Sequence, residues 1–312
     1  MRRRPRLELD DRPGQWTPWS ARPVRFRARR RPTRPEEADI SADIRLGIAL
    51  VLLLAAATGA LAVAGVRIRR QVVVAALRAT LQLAVIGVVL GFVFRFPGAA
   101  AVVLLVMLAT ATRTAGRRLR ELDGALRAVL LSSLAGALCT LVVAFGTGAV
   151  AFQVRYIVAL SGITLGGTMT ACTLAGRQLL SGIRSRREEV EGWLALGATP
   201  RQAVRDIART AAGEALLPAI DQTRTVGLVT LPGAFVGALF GGASPAFAAR
   251  FQLVVLVGLL AAEAVAAVTL TWLLGAPAPL PLPPDDRTVA DDRSVRSAAS
   301  ARMRRRLPRI RS

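Results

Sequence analysis

The sequence contains no lysine and no histidine; all 42 of its basic residues are arginine. A GC-rich coding bias explains that set as readily as any special use of guanidinium chemistry. Without histidine, and with no cluster of other ligating side chains, there is no ligand set for a transition metal. No G-x-x-x-x-G-K-[ST] run occurs, so the chain does not itself hydrolyse ATP through a P-loop. The two cysteines, Cys139 and Cys172, both fall in apolar runs. Their number and spacing exclude a disulfide framework and a zinc site. Nor does any short apolar core follow the early arginines, so a signal peptide is not expected.

What the sequence has is long apolar runs. Apolar residues make up 53% of 312 positions, and they cluster rather than scatter, the membrane pattern and not that of a large soluble core. Seven spans, give or take one, are expected near 46–66, 72–94, 98–112, 128–152, 156–180, 225–240 and 251–274, with a tight turn at 95–97. The fold class expected is all-α, a polytopic integral membrane protein carrying a helical hairpin at about 184–216. Residues 1–45 carry thirteen arginines, seven acids and several prolines with few large aliphatics. Such a segment buries too little apolar surface to fold and is expected to be disordered, a basic lipid-binding arm being the functional alternative. A Pro-rich, Arg-rich tail is expected over 275–312. A net charge of +22 would suggest nucleic acid in a soluble protein. Here 20 of the 42 arginines lie within 46–274, nearly all between apolar runs, so the expected partner is the bilayer with its anionic head groups, not nucleic acid.

Orientation follows from the same arginines. Loops one, three and five carry three, five and seven of them, while loops two, four and six carry one each. The positive-inside rule then places the odd loops and the C-terminus in the cytoplasm. The basic N-terminal tail opposes this, but long tails translocate largely regardless of charge.

Between the fifth and sixth runs lies a polar stretch. Val190, Trp193, Leu194, Gly197 and Ala198 repeat at the spacing of one helical face. Glu188, Glu189 and Glu191 crowd its first turn, where the helix dipole favours negative charge. Gly197 is a C-terminal stop. Thr199-Pro200-Arg201-Gln202 reads as a capping box for a second helix, with Ala203, Val204, Ile207, Ala208 and Ala211 on one face and Pro218 breaking or bending it. One reading is an amphipathic loop lying on the membrane surface. Against it, an acidic face is repelled by an anionic leaflet. The small residues Ala195, Gly197 and Ala198 beside an exposed Trp193 suit docking into a groove on a protein partner.

The run E-x-E-x-x-L-A-L-G-A-T, then A-x-L-P-x-I-D-Q-T-x-T-V-G-L-V-T-L-P-G and G-G-A-S-P, resembles the FetB-type permeases of ABC transporters, over about residues 42–274. These are similar to the membrane subunits implicated in plant aluminium tolerance. The resemblance implies a non-enzymatic permease of the bacterial plasma membrane, exporting a metal ion such as iron. It would work as a homodimer with a FetA-like ABC ATPase. No cofactor is expected on this chain; ATP and Mg would sit on the partner. The resemblance also makes Glu188, Glu189, Glu191, Trp193, Ala195, Gly197 and Ala198 the coupling helix that seats in that ATPase. The family pattern G-M-x-x-G-N-x-M departs here to Gly162-Ile163-Thr164-Leu165-Gly166-Gly167-Thr168-Met169, so Gly167 replaces an amide beside Thr168, a passage candidate.

Polar groups inside spans cost roughly 2.5–3.5 kcal/mol at mid-depth and need a reason. Arg78 and Gln82 share a face of the second span. Arg78 either snorkels to head groups or lines a passage. Glu263 sits too deep to snorkel, and reads as a passage group, a partner for Arg78, or a protonated carboxyl bonding a neighbouring helix. Gly162/Gly166, Gly233/Gly237/Gly241 and Gly87/Gly91 form small-x-x-x-small stripes for close packing. Pro232-Gly233 interrupts the sixth span as a hinge or substrate-facing break. Asp221 and Gln222 are expected at the cytoplasmic mouth of that span, as gating groups or, for Asp221, as a helix cap. Two rivals remain: a secondary transporter driven by an ion gradient through Glu263, and a non-transporting membrane scaffold.

Overall fold

A computed structural model describes residues 35–276, apart from 67, 94, 95 and 97. Residues 1–34 of the tail expected over 1–45, residues 277–312 of the tail expected over 275–312, and most of the expected turn at 95–97 therefore lie outside the described residues. The described residues are all-helical, with one isolated bridge, Val226 to Thr230, as the only extended pairing among them. The chain divides into two units, one ending at Ala76 and one starting at Leu77. The first holds α1 (Pro35–Val63) and the start of α2 (Arg69–Val93). Helix α1 thus begins ahead of the boundary at 46 expected from the apolar run, and Gly65, at φ +71°, turns the chain after its end.

The second unit continues α2 and adds α3 (Ala99–Arg118), α4 (Ala125–Gly146), α5 (Val154–Ser185), α6 (Arg187–Ala195), α7 (Pro200–Thr225), α8 (Gly233–Phe240) and α9 (Pro245–Leu274). Six helices among the described residues are long and apolar enough to cross a membrane: α1 from Ile44, α2, α3, α4, α5 and α9. The protein is a polytopic all-α membrane protein. The expected sixth span at 225–240 takes a different form. Residues 226–232 are not helical, and α8 has eight residues, ~12 Å against a ~30 Å hydrocarbon core. Gly227, at φ +84°, and Pro232, which opens α8, explain the interruption. Pro218, expected to break or bend α7, lies inside a helix that continues to Thr225.

Helices α4, α5 and α9 form the centre of this unit, with α3 and α7 packed at its sides. Small residues make that centre possible. At Gly136 a Cβ atom would lie 2.3 Å from the carbonyl oxygen of Ala262 and 3.0 Å from Cγ2 of Thr168. One turn on, the Thr140 hydroxyl donates to the carbonyl of Gly258 at 2.6 Å, where a side chain on Gly258 would meet Thr140. Between apolar helices in lipid, such backbone approach and interhelical bonding replace the hydrophobic drive available in water. The Gly87/Gly91 stripe has open space around it, as do Gly233 and Gly237, so these stripes make no close approach within the chain.

Helix α9 runs antiparallel to α7. The Arg201 guanidinium near the start of α7 lies 4.4 Å from the centroid of the Trp272 ring near the end of α9. The chain therefore travels from α7 to the far end of α9 in two helical pieces separated by 226–232.

Gly136→Ala sets a methyl against backbone, which cannot rotate away, and should lower stability by about 1–3 kcal/mol. Thermal unfolding in detergent should show a lower midpoint for Gly136→Ala and an unchanged one for Gly87→Ala.

Candidate functional site

The hairpin at the α5 end is built from its caps outward. Helix α6 ends as the glycine signal predicts. Gly197 sits at φ +90°, Ala198 N–H donates to Trp193 O at 3.0 Å, and Gly197 N–H donates to Leu194 O at 3.0 Å. This is the paired closure of a Schellman motif. The expected capping box also forms: Gln202 N–H donates to the Thr199 hydroxyl at 3.4 Å, and Thr199 N–H to Gln202 Oε1 at 2.8 Å. The two helices are thereby capped on both sides of a connection of only four residues, 196–199.

Val190 anchors α6, at 1% exposure, against the α5–α7 core, and half-buried Leu194 packs beside it. Beyond that anchor the end of α6 is open: Trp193, one turn on from Val190, is 52% exposed and Leu196 83% exposed. Glu188, Glu189, Glu191, Ala195 and Gly197 are exposed there too, with Ala198 half-buried. Arg186 grips Glu189 with two bonds of 2.7 Å, and Arg187 reaches Glu191 at 2.6 Å. The Arg186 hydrogen bonds hold the Glu189 carboxyl below its ordinary range. Two of the three carboxylates of the acidic turn are therefore paired, and its apolar tip is left as the distinctive feature.

Three contacts joining this hairpin to the bundle were not foreseen. Arg201 stacks on Trp272, Gln178 donates to Glu214 at 3.1 Å, and Arg184 pairs with Glu121. Gln178 and Glu214 stood out only as polar residues on helices otherwise scored by their apolar faces. Where Ile207 crosses α5, a Cβ on Gly182 would lie 2.5 Å from its Cγ2.

The residues expected to line a passage do not form one cluster. Arg78 and Gln82 are exposed on α2, and no ion pair joins Arg78 to Glu263 among the described residues. Glu263 instead lies half-buried on α9 with its carboxylate against α5. A Cβ on Gly167 would sit 2.5 Å from Glu263 Oε1 and 2.3 Å from Leu259 Cδ1. The Glu263 carboxylate and Leu259 thus occupy the space that a side chain at position 167 would take. Thr168, next along, is fully buried on the α4 side, and its hydroxyl bonds Leu165 O at 3.1 Å. Asp221 and Gln222 are exposed in the closing turns of α7, next to the 226–232 interruption and not at the end where α7 begins. Asp221 is interior to α7 and caps no helix; Arg224 lies 3.8 Å from its carboxylate. Pro232 is the N-cap of α8 and Gly233 its first residue, while Leu228, Val229 and Leu231 of the interruption are all strongly exposed.

With this geometry in hand, the comparisons are specific. The model of the family described as "Uncharacterised protein family (UPF0014)" matches residues 44–276. The "UPF0014 membrane protein STAR2" of Oryza sativa subsp. japonica is 40% identical over 198 residues, covering 63% of this chain and 70% of that protein. "Protein ALUMINUM SENSITIVE 3" of Arabidopsis thaliana is 38% identical over 198 residues, 63% of this chain and 72% of that protein. The "Probable iron export permease protein FetB" of Escherichia coli strain K12 is 30% identical over 198 residues, 63% of this chain and 76% of that protein. No solved structure matches the chain.

Because Gly197 is in the left-handed region, Gly197→Ala should cost roughly 1 kcal/mol. Amide exchange across α6 should speed up about fivefold while exchange in α4 stays unchanged. Unchanged exchange in α6 would show that the closing turn does not set the helix.

Proposed function

The chain belongs to the UPF0014 family, and from that premise we propose that it is the membrane-spanning permease subunit of an ABC transporter, driven by a separate ATPase that docks on α6. The observation that carries this reading is the tip of α6. An apolar pair, Trp193 and Leu196, is left exposed at the end of a short helix that is anchored one turn earlier through Val190. A large aromatic on a rigid projection is the usual centre of a protein–protein hot spot, and among the described residues Trp193 stays 52% and Leu196 83% exposed.

The distribution of arginine supports a multi-pass protein of the bacterial plasma membrane with α6 and the C-terminus on the cytoplasmic side, where an ATPase would be. ATP and Mg belong to that partner, a FetA-like subunit, and two permease copies would stand over two ATPases. Closure of the ATPases on ATP would pull α6. The pull would pass through the Ile207–Gly182 contact and along α7 to the interruption at 226–232, changing which side the pathway faces. A metal ion such as iron, moving outward, is the cargo suggested by the name of the Escherichia coli relative.

A gradient-driven secondary transporter using Glu263 is the second reading, favoured by the carboxylate held against Gly167.

Co-purification with the cognate ATPase separates the two. Trp193→Ala should weaken ATPase binding at least tenfold, and Leu196→Glu should do the same without touching the α6 anchor. Transport should stop when the ATPase carries an inactive P-loop. Undiminished binding by both variants, or transport that survives loss of the ATPase and fails in Glu263→Gln, would overturn the proposal in favour of the gradient-driven reading.

A further inference from the structure

One group of charges plays no part in the transport reading. Five arginines, Arg113, Arg117, Arg118, Arg120 and Arg127, crowd the end of α3 and the start of α4. All five are exposed, and none forms an ion pair with an acid among the described residues. Of the two acids in the turn between these helices, Glu121 is held by Arg184, and Asp123 pairs with none of the five. The helix dipole accounts for Arg117 and Arg118 in the last turn of α3. It does not account for Arg113, a turn deeper in the span, or for Arg120 beyond the helix end.

The packing of α4 fixes the level of this row. Gly136 lies against Ala262 and Thr140 against Gly258, so α4 and α9 are antiparallel, and the same register brings Leu126 level with Trp272. A Cβ on Gly116 would lie 2.8 Å from Leu126 Cδ1, so α3 meets α4 at that level. Arg117 and Arg127, the next residues on, therefore stand in the plane of Trp272, an aromatic of the kind that marks the head-group region. Arg113 lies one turn, about 6 Å, nearer the bilayer centre. Arg113 and Arg117 share one face of α3, and Arg120 follows at the same spacing. That face continues into the span as Val102 and Val106, both strongly exposed among the described residues. An apolar strip ending in a ladder of guanidinium groups matches the outline of a phospholipid, chain first and phosphate last.

The rest of the chain has little with which to neutralise the row, wherever it lies. No Asp or Glu occurs between Asp43 and Glu121, so the turn between α1 and α2 offers only Arg67, Arg69 and Arg70. Residues 1–34 hold twelve arginines against three acids, and residues 277–312 nine against four. A second copy would bring the same excess. Guanidinium groups bind phosphate through paired, charge-assisted hydrogen bonds, and a leaflet supplies phosphate at the depth of Trp272.

We propose that the α3–α4 turn is a binding site for an anionic phospholipid, its phosphate held by Arg113, Arg117 and Arg120 and an acyl chain laid along Val102 and Val106. By the arginine rule this lipid belongs to the cytoplasmic leaflet. The site is distinct from the α6 tip and does not depend on the transport reading. Glu121 of the same turn pairs with Arg184 in the last turn of α5, from which α6 leads off. A head group seated there steadies the base from which α6 projects.

Native mass spectrometry tests this on full-length protein in detergent, offered equal amounts of phosphatidylglycerol and phosphatidylcholine. Wild type should retain phosphatidylglycerol in preference. Arg113→Gln/Arg117→Gln should cut that preference roughly tenfold or more, since each arginine at an anionic surface contributes about a fivefold factor. Arg113→Lys/Arg117→Lys keeps the charge and should keep most of the preference. Arg205→Gln/Arg209→Gln on α7 removes the same charge elsewhere and should leave it unchanged. Arg120→Gln reads the same site should the first double variant fold poorly. An excess of glycerol phosphate should not displace the lipid, because it has no chain. No preference in wild type would leave the row to protein carboxylates or water. An equal fall in the α7 variant would reduce the effect to net charge, and displacement by glycerol phosphate would make this a site for free phosphate. Any of the three overturns the proposal.

Discussion

Everything else in the molecule hangs on how closely α4, α5 and α9 approach one another. In lipid there is no gain from hiding one apolar side chain behind another, so helices are held by backbone proximity and a few polar links. Gly136 admits the Ala262 carbonyl, Gly258 admits Thr140 and receives its hydrogen bond, and Gly167 admits Glu263. These contacts lock three helices into a rigid block. Because the block is fixed, α7 can be described by what it touches: α5 through Ile207 and Glu214, and α9 through Arg201.

Much of this architecture was legible in the sequence, where a local rule coincided with the fold. The apolar runs marked six spanning helices because length and composition alone decide that question. Gly197 and the Thr199–Gln202 box marked the ends of α6 and α7 because capping is settled by residues within four positions of each other. The interruption was half visible: Pro232 and Gly233 announced it, but the positive φ of Gly227 moved its start forward to Val226.

What could not be read was whatever depends on neighbours distant in sequence. Glu263 was recognisable as a costly residue, yet its place against Gly167 and not Arg78 follows from helix packing. The same is true of Thr168, a polar residue whose pattern fits a passage and whose side chain is enclosed against α4. Of the expected small-residue stripes, Gly162 approaches α3 closely, where an added Cβ would lie 2.8 Å from Met107 Cε, while Gly87/Gly91 and Gly233/Gly237 have open space, and the tight approaches at Gly136 and Gly258 belong to no expected stripe. The apolar face of α7 was legible from Ala203 to Ala211, but the proline at 218 masked its continuation through Ala215 and Ala219 in a helix that runs on to Thr225.

Pro218 has a mechanical consequence. An α-helix resists sharp flexing because a tight bend stretches hydrogen bonds on its outer side. At Pro218 one of those bonds is absent in the resting state, so curvature there sacrifices nothing further. Helix α7 is consequently a stiff rod with a fulcrum two-thirds of the way along. A small tilt of the long arm clamped at Arg201 and Trp272 leaves the short free end, with Asp221 and leading to the exposed Leu228, able to follow a different arc.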